Sequence, residues 1–580
     1  MGSLRTILGD RFSEKMYPNL NSPDIKRAIE GGRKSFQENY LNWTYGWIID
    51  GRVFQSDVFD GGLFYSTRNP ADGTVVGTFP ILSKDRIAHV SKLLPAVRRR
   101  GIEFSQTVPW QKRVELLLEI SKVVEERFWL LVAAKQHETG QSLAEAIGET
   151  DEEVDFPLAV AMYLQEFHED TLLPTPRFSG DYNGKRYVPH GVFLNVCPFN
   201  FPGAIPMDMA CKALAMGNAF IEKSSDKSSL CGYLVYESIV MAFERLGIPH
   251  EGVVNYAPGG PKVVDMFLES PDIAGVSFTG SSAALTEIKA KHGTMLRNGY
   301  HGRAPLVFGS AETSGVNIVV VWHDADVARA AIECVKAFIG RSGQKCSSAR
   351  IIMVHKEVKA LFDNHLLCEL NRIRFGDALE GADTGPVITE DAGRVIRQKI
   401  DKLFCHSIAA TSQALHVGCA GKELSKINSF PRFLDISGEV LKDINLAREF
   451  MNTEIFGPVT SVIAVPDIDA VKGLCELSDY ALTGACFTAD IEVQLALSNV
   501  IPAGNLYHNR KCTGALVETE CFGGLRSLSS PSGIKGKQAL ALFGSQQTVS
   551  GFYDPSWGAE EREEFVRRMQ SELGVVFSKA

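Results

Sequence analysis

The chain reads as an α/β protein with two doubly wound α/β domains and a projecting β-hairpin. Three observations carry this reading. From residue 188 onward, short apolar strands alternate with amphipathic helical stretches, the pattern of right-handed crossovers in a parallel sheet. A second series of the same kind begins at residue 317. Ahead of the first series lies a polar segment, 171–189, with Gly180 and Asn183-Gly184, and Asn-Gly between extended stretches is a hairpin signal.

Taken in order, residues 1–60 are aromatic-rich and irregular, and Asn69-Pro70-Ala71-Asp72-Gly73 makes a turn between extended stretches. The period becomes helical from Asp85. Leu116, Ile120, Val123, Val124, Phe128 and Leu131 then fall on one stripe, with Gly140 as a stop. The first series of strands covers 191–196, 219–222, 252–256, 273–278 and 305–308. The second covers 317–322, 350–355 and 460–465, so two α/β domains divide near Glu312.

Composition narrows the class. At 45% apolar and 22% charged residues, the 580-residue chain has material for large cores and no disorder signature. A formal charge of −9 argues against nonspecific nucleic-acid binding, which needs clustered cations. Twelve cysteines with no Cys-x-x-Cys argue against a disulfide scaffold and a structural metal site, and for a reducing compartment. No apolar run approaches the ~18–20 residues that span a bilayer, and residues 1–20 fit neither a signal peptide nor an acid-poor transit peptide. The expected location is the cytoplasm, or the mitochondrial matrix for a processed eukaryotic form.

Several segments could carry chemistry. Gly343-Gln344-Lys345-Cys346-Ser347 places a thiol on a loop between a helical stretch (327–339) and a strand, where main-chain amides favour the thiolate. A lone cysteine is more often a small buried hydrophobe. Asn200, in Phe199-Asn200-Phe201-Pro202 after a strand, could aim its amide into the cleft at the sheet's C-terminal edge, or merely form a turn before proline. Glu312 at a strand end could reach an attacking water or serve as a surface charge. Glu454, in Glu454-Ile455-Phe456-Gly457-Pro458, could bond a sugar hydroxyl or start a turn. There is no Gly-x-Gly-x-x-Gly. Phe278-Thr279-Gly280-Ser281 and Lys223-Ser224-Ser225-Asp226 are strand-to-helix turns that could hold phosphate and ribose.

In this order and spacing the segments resemble the aldehyde dehydrogenase superfamily over roughly residues 60–550. Phe278-Thr279-Gly280-Ser281 and Glu454-Ile455-Phe456-Gly457-Pro458-Val459 match its motifs without change, and Glu138-Thr139-Gly140 and Asn69-Pro70 match lesser landmarks. Ser342-Gly343-Gln344-Lys345-Cys346-Ser347, Ala311-Glu312-Thr313-Ser314-Gly315, Asn509-Arg510-Lys511-Cys512-Thr513-Gly514-Ala515 and Phe522-Gly523-Gly524 look like the Δ1-pyrroline-5-carboxylate (glutamate semialdehyde) dehydrogenase branch. Departures are Ser224 for proline, Val316 for lysine, Phe199 for tryptophan, and Leu528 where that branch has a serine of its carboxylate-anchoring loop.

The resemblance implies NAD-dependent oxidation of an aldehyde to an acid through a thioester on Cys346, with glutamate semialdehyde as the favoured substrate. Asn200 would stabilise the oxyanion and Glu312 would activate water. Lys223, Asp226, Gly280, Ser281, Glu454 and Phe456 would hold the cofactor, NAD in preference to NADP because of Asp226. Ser347 and Ser529 would contact substrate. No metal, membrane or nucleic acid is expected, and a homodimer or larger homo-oligomer is.

The implied boundaries are 1–170 and 191–312 for the NAD-binding domain, 171–190 for an oligomerisation hairpin, 313–537 for the catalytic domain and 538–580 for a C-terminal oligomerisation segment. Two other readings of function stay in view: a different aliphatic or semialdehyde substrate, including acyl transfer to CoA, and an inactive structural or binding homologue.

Overall fold

The computed structural model describes residues 19–55, 63–169, 180–297, 307–406, 432–436, 443–526, 529 and 536–577. Two sheets organise the molecule. The first has seven strands in the order Val307–Glu312, Ile273–Thr279, Val192–Val196, Ala219–Lys223, Val254–Tyr256, Trp47–Ile49 and Arg52–Phe54. The five strands beyond residue 190 are parallel; the last two join antiparallel at the edge. Val192–Val196 and Ala219–Lys223 are buried on both faces, which explains why they read as continuous apolar runs rather than as alternation. The second sheet has six parallel strands, in the order Arg432–Ile436, Val459–Val465, Ala349–His355, Asn317–Val321, Thr483–Phe487 and Asn505–His508. This is the two-domain α/β architecture expected from the alternation of strands and helices.

Differences from the sequence expectation have local causes. The described residues 19–55 are not irregular throughout: a helix, Pro23–Asn39, and the two edge strands lie there. Strands of three residues are too short to print a period. The strand expected at 305–308 is found at Val307–Glu312, so Glu312 is its last residue. The helical stripe splits into Trp110–Glu126 and Phe128–Thr139, and Gly140 ends the second helix in the left-handed region at φ 66°.

Asn183-Gly184 is not a turn. Both residues lie inside the strand Asp181–Pro189, which pairs antiparallel with Gly544–Phe552 on one side and Val576–Phe577 on the other. Glycine is required at 184 by close approach: a Cβ there would lie 2.6 Å from Val575 Cγ1 and 3.1 Å from Val576 O. The segment 170–179 ahead of this strand is outside the described residues.

The short 3-10 segment Lys537–Phe543 anchors the C-terminal region. Leu540 and Phe543 are fully buried in the core around the first sheet. The Phe543 ring lies 4.7 Å from that of Phe193, and its carbonyl accepts a hydrogen bond from Asn218 Nδ2 at 2.8 Å. Phe543→Ala should therefore lower stability by about 3–5 kcal/mol, the usual cost of emptying a buried phenylalanine site. Thermal unfolding of the purified variant checks this, and an unchanged Tm would contradict the anchoring role.

Candidate active site

The C-terminal ends of the first sheet's strands face the loop that carries Cys346. That loop follows the helix Val327–Ile339, whose Asp326 cap accepts from Arg329 N, and it precedes the strand Ala349–His355. Between them, Arg341, Ser342 and Gly343 all have positive φ, at 52°, 55° and 68°. Left-handed backbone at two successive non-glycine residues costs of order 1–3 kcal/mol each and persists only where surroundings fix it.

The surroundings do fix it. The Arg341 guanidinium is buried against Glu145 (3.2 Å) and Glu149 (3.0 Å), and lies 3.5 Å over the Phe201 ring. Ser342 Oγ donates to the carbonyls of Gly385 and Pro386, and Ser342 N donates to Thr384 Oγ1. Gly343 passes so close to Gly457 that a Cβ would lie 1.9 Å from its carbonyl oxygen. Lys345 pairs with Glu145 at 2.6 Å. Burial alone would raise the Glu145 carboxyl, but Lys345 and Arg341 outweigh it and hold it at about 2. Arg350 Nη1 and Nη2 donate to Gly457 O and Lys345 O, tying the loop from below.

Asn200 sits in the loop between the strand Val192–Val196 and the helix Ala204–Ala215. It is buried, and its Nδ2 donates to Gln344 O at 2.9 Å. Arg341 donates to the Asn200 carbonyl, so the two loops are bonded in both directions. On the far side, Glu312 ends its strand beside Thr279, and Gly280 N donates to the Glu312 carbonyl at 3.2 Å. The chain then runs directly against the backbone of Cys346. A Cβ on Gly315 would lie 2.1 Å from Cys346 O, while Asn317 Nδ2 donates to Cys346 O (2.7 Å) and Ser348 O (2.8 Å). Asn200 is thus bonded to the loop that carries Cys346, and Glu312 lies a few residues before the glycine that packs against it, though neither Asn200 nor Glu312 lines the cavity at Cys346.

A cavity of about 120 Å³ opens at Cys346 and Ser347. Cys346 is partly exposed, whereas most of the described cysteines are buried. Phe156, Tyr163, Phe201 and Phe522 supply aromatic walls. Lys212 and Asp208, also in the lining, pair with each other at 2.8 Å, and Glu520 is paired with Arg510 at 2.7 Å. Ser529 is fully buried and does not line this cavity: its Oγ accepts from Ala481 N, and its carbonyl accepts from Thr313 N. Leu528 and 530–533 lie outside the described residues. The aromatic walls on the helix Leu143–Glu169 were not singled out from sequence, because an aromatic at helical spacing looks the same in a core.

The residues that the resemblance assigns to a dinucleotide fall in separate loops. Lys223 ends its strand, and its ammonium is buried with Gly259 O as acceptor at 3.0 Å. Burial pulls its pKa down to about 8. Asp226 is half-buried in the following loop beside Lys227. Gly280 and Ser281 open the helix Ser282–Arg297, with Ser281 Oγ accepting from Ala284 N. Glu454 Oε1 accepts from Gly315 N at 3.1 Å, and the Phe456 ring meets Phe199 edge-on at 6.1 Å. A buried cation at one strand end, a strand-to-helix turn with Gly280 and a carboxylate bonded to the Gly315 backbone are groups that could hold a ligand with phosphates between two hydroxylated rings. Glu138 has a structural place: its carboxylate caps the helix Ser229–Arg245 by accepting from Leu230 N and Cys231 N.

Comparison with known proteins agrees with this geometry. The family model described as "Aldehyde dehydrogenase family" matches residues 60–549. A 1-pyrroline-5-carboxylate dehydrogenase of Staphylococcus epidermidis is 28% identical over 553 residues, covering 93% of this chain and all of that protein. One from Anoxybacillus flavithermus is 29% identical over 548 residues, with the same coverage. Among solved structures, the Thermus 1-pyrroline-5-carboxylate dehydrogenase with bound NAD aligns at TM-score 0.82 and 26% identity, over 93% of this chain and 99% of its own. Family match and fold lead to one conclusion: the chain belongs to the aldehyde dehydrogenase family.

Proposed function

We propose that the protein oxidises an aldehyde to a carboxylic acid with NAD, through a thioester on Cys346. The observation that carries this reading is the convergence at Cys346. Its thiol opens on a cavity, the Gly315 backbone is pressed against its carbonyl, and Asn200 is bonded to the neighbouring peptide. Lys223, Asp226, Gly280, Ser281, Glu454 and Phe456 would hold the cofactor. When bound, NAD supplies the hydride acceptor for the oxidation.

The chain's own residues do the rest. Cys346 thiolate attacks the aldehyde carbon, forming a C–S bond and leaving an oxyanion. One Asn200 amide hydrogen is used by Gln344 O, and the second, with the Cys346 N–H, can stabilise that charge. After the carbon is oxidised, a thioester remains. Glu312 takes a proton from water, whose oxygen then displaces the Cys346 sulfur and releases the acid. The presence of Glu312 favours hydrolysis over transfer to CoA.

We assign glutamate semialdehyde as substrate, supported by the 1-pyrroline-5-carboxylate dehydrogenase relatives and by Ser347 in the cavity wall. A less polar aldehyde is the second reading. It is favoured by four aromatic walls, by Ser529 lying off the cavity, and by a cavity lysine already paired with Asp208.

Three outcomes are expected. Cys346→Ala should lose NADH formation while NAD still binds by fluorescence titration; turnover near the wild-type rate would exclude the covalent route. Glu312→Gln should keep a pre-steady-state burst of NADH while steady turnover falls about 10²–10⁴-fold, the range typical of general base catalysis. Loss of burst and turnover together would place Glu312 in thiol activation instead. Finally, kcat/KM for glutamate semialdehyde should exceed that for hexanal by about tenfold or more, as expected where a site hydrogen-bonds a polar substrate group. Equal values would select the second reading and leave the dehydrogenase reaction standing.

A further inference from the structure

Away from Cys346, where the strand Asp181–Pro189 leaves the first domain, a second cavity of about 370 Å³ lies between that strand, the helix Lys84–Thr107, the start of the helix Trp110–Glu126 and the C-terminal helix Ala559–Leu573. Its lining is rich in cations: Arg98, Arg113 and Arg186, with His168 and His190. Glu572 is the carboxylate in the lining, and it is paired with Arg568 at 2.7 Å.

Arg113 is the unusual member. Its Nε and Nη1 are buried and have no hydrogen-bond partner among the described residues. The guanidinium presses against Gly217, where a Cβ would lie 2.2 Å from Nη1 and where φ is +83°. Burial pulls its pKa down to about 10, with no carboxylate acting against that effect. An arginine stays charged under these conditions, and although the Arg113 side chain as a whole is only partly buried, two guanidinium nitrogens buried without partners are costly to a fold.

Position adds to the cost. Arg113 is in the first turn of the helix Trp110–Glu126, where the helix dipole disfavours a cation, and Pro109 at the cap accepts no first-turn N–H with its side chain. Both features reverse sign if an anion occupies the cavity. It would then meet a guanidinium fork and free helix N–H groups together. His168, stacked on Trp110 with ring centroids 4.8 Å apart, is kept neutral by burial and by Arg113, and it keeps an N–H to donate. Arg98 has no ion pair among the described residues, and Arg186 donates to Gln547 on the neighbouring strand.

We propose that this cavity is a binding site for a small oxyanion, a phosphate or carboxylate group, centred on Arg113 and separate from the dehydrogenase site. The bound anion would join the first domain and the strand Asp181–Pro189 through charge-assisted hydrogen bonds from Arg98, Arg113 and Arg186.

Isothermal titration calorimetry of the full chain tests this, with inorganic phosphate and malonate titrated in parallel at constant ionic strength. At least one should bind saturably at one per chain. Binding of phosphate alone identifies a phosphoryl ligand, and of malonate alone a carboxylate. Arg113→Gln should weaken that binding about tenfold or more, as loss of a charge-assisted pair does, and Arg113→Lys should restore part of it. Arg98→Gln, at a position that is not fully buried, serves if the Arg113 variants do not fold, and should weaken binding in the same direction. Failure of both anions to bind, or wild-type affinity in the folded glutamine variants, would overturn the proposal.

Discussion

The site depends on one buried carboxylate, Glu149. It lies on the helix Leu143–Glu169, and its two oxygens face different parts of the machinery. Oε1 accepts from Gly203 N and Ala204 N, capping the helix that follows Asn200. Oε2 is 3.0 Å from Arg341, the first of the three left-handed residues ahead of Cys346. A single carboxylate therefore fixes the Asn200 loop and the Cys346 loop to one helix. The arrangement is exacting at Gly203, where a Cβ would fall 1.7 Å from Glu153 Oε1. Glu153 in turn is neutralised by Lys135 at 2.5 Å, so the anion next to Glu149 does not go unbalanced.

Buried ion pairs are poor sources of net stability, since desolvation consumes most of the Coulomb gain. The network of Glu145, Glu149, Arg341 and Lys345 is better understood as a holder of shape. It keeps two non-glycine residues at positive φ, a conformation they would leave if free. The result is that Cys346 is presented at a cavity while the residues on either side of it are buried. Local strain, buried charge and access to the thiol are one structural fact described at three levels.

How much of this was legible in the sequence follows from what kind of signal each part leaves. The parallel strands of the first sheet and three of the second were readable because double burial favours apolar runs, as in Asn317–Val321. Arg432–Ile436, Thr483–Phe487 and Asn505–His508 were not read: they are short and carry polar or small residues. Cys346, Asn200 and Glu312 were singled out by the family resemblance of their segments, since a strand end beside turn residues by itself left an ordinary turn or a buried thiol as the alternative. Glu149 and Arg341 were not, because a charge on an amphipathic helix looks solvated until its partner, 192 positions away, is known. Asn183-Gly184 misled for the opposite reason. The dipeptide favours a turn locally, but pairing with two neighbouring strands outweighs that preference, and Gly184 is used for the close approach of Val575. Ser529 kept its hydroxyl and lost the expected use: it holds the backbone at Ala481 and Thr313, below the site.

The same contacts bear on how the two domains act together. Cys346 belongs to the second sheet's domain and Asn200 to the first, and hydrogen bonds from Asn200 to Gln344 and from Arg341 to Asn200 cross between them. Glu312, Thr313 and Ser314 form the passage from one sheet to the other, ending at Gly315, where the backbone touches Cys346. Because Glu312 is on the connecting segment itself, a few residues before the glycine that packs against Cys346, its placement relative to that loop follows from local backbone contacts. Glu454 reinforces this by accepting from Gly315 N, so a residue assigned to the cofactor also fixes the segment that carries the base. Segments far apart in sequence, those of Glu312, Cys346 and Glu454, are thereby held together at Gly315, which limits the positional freedom of any group they carry.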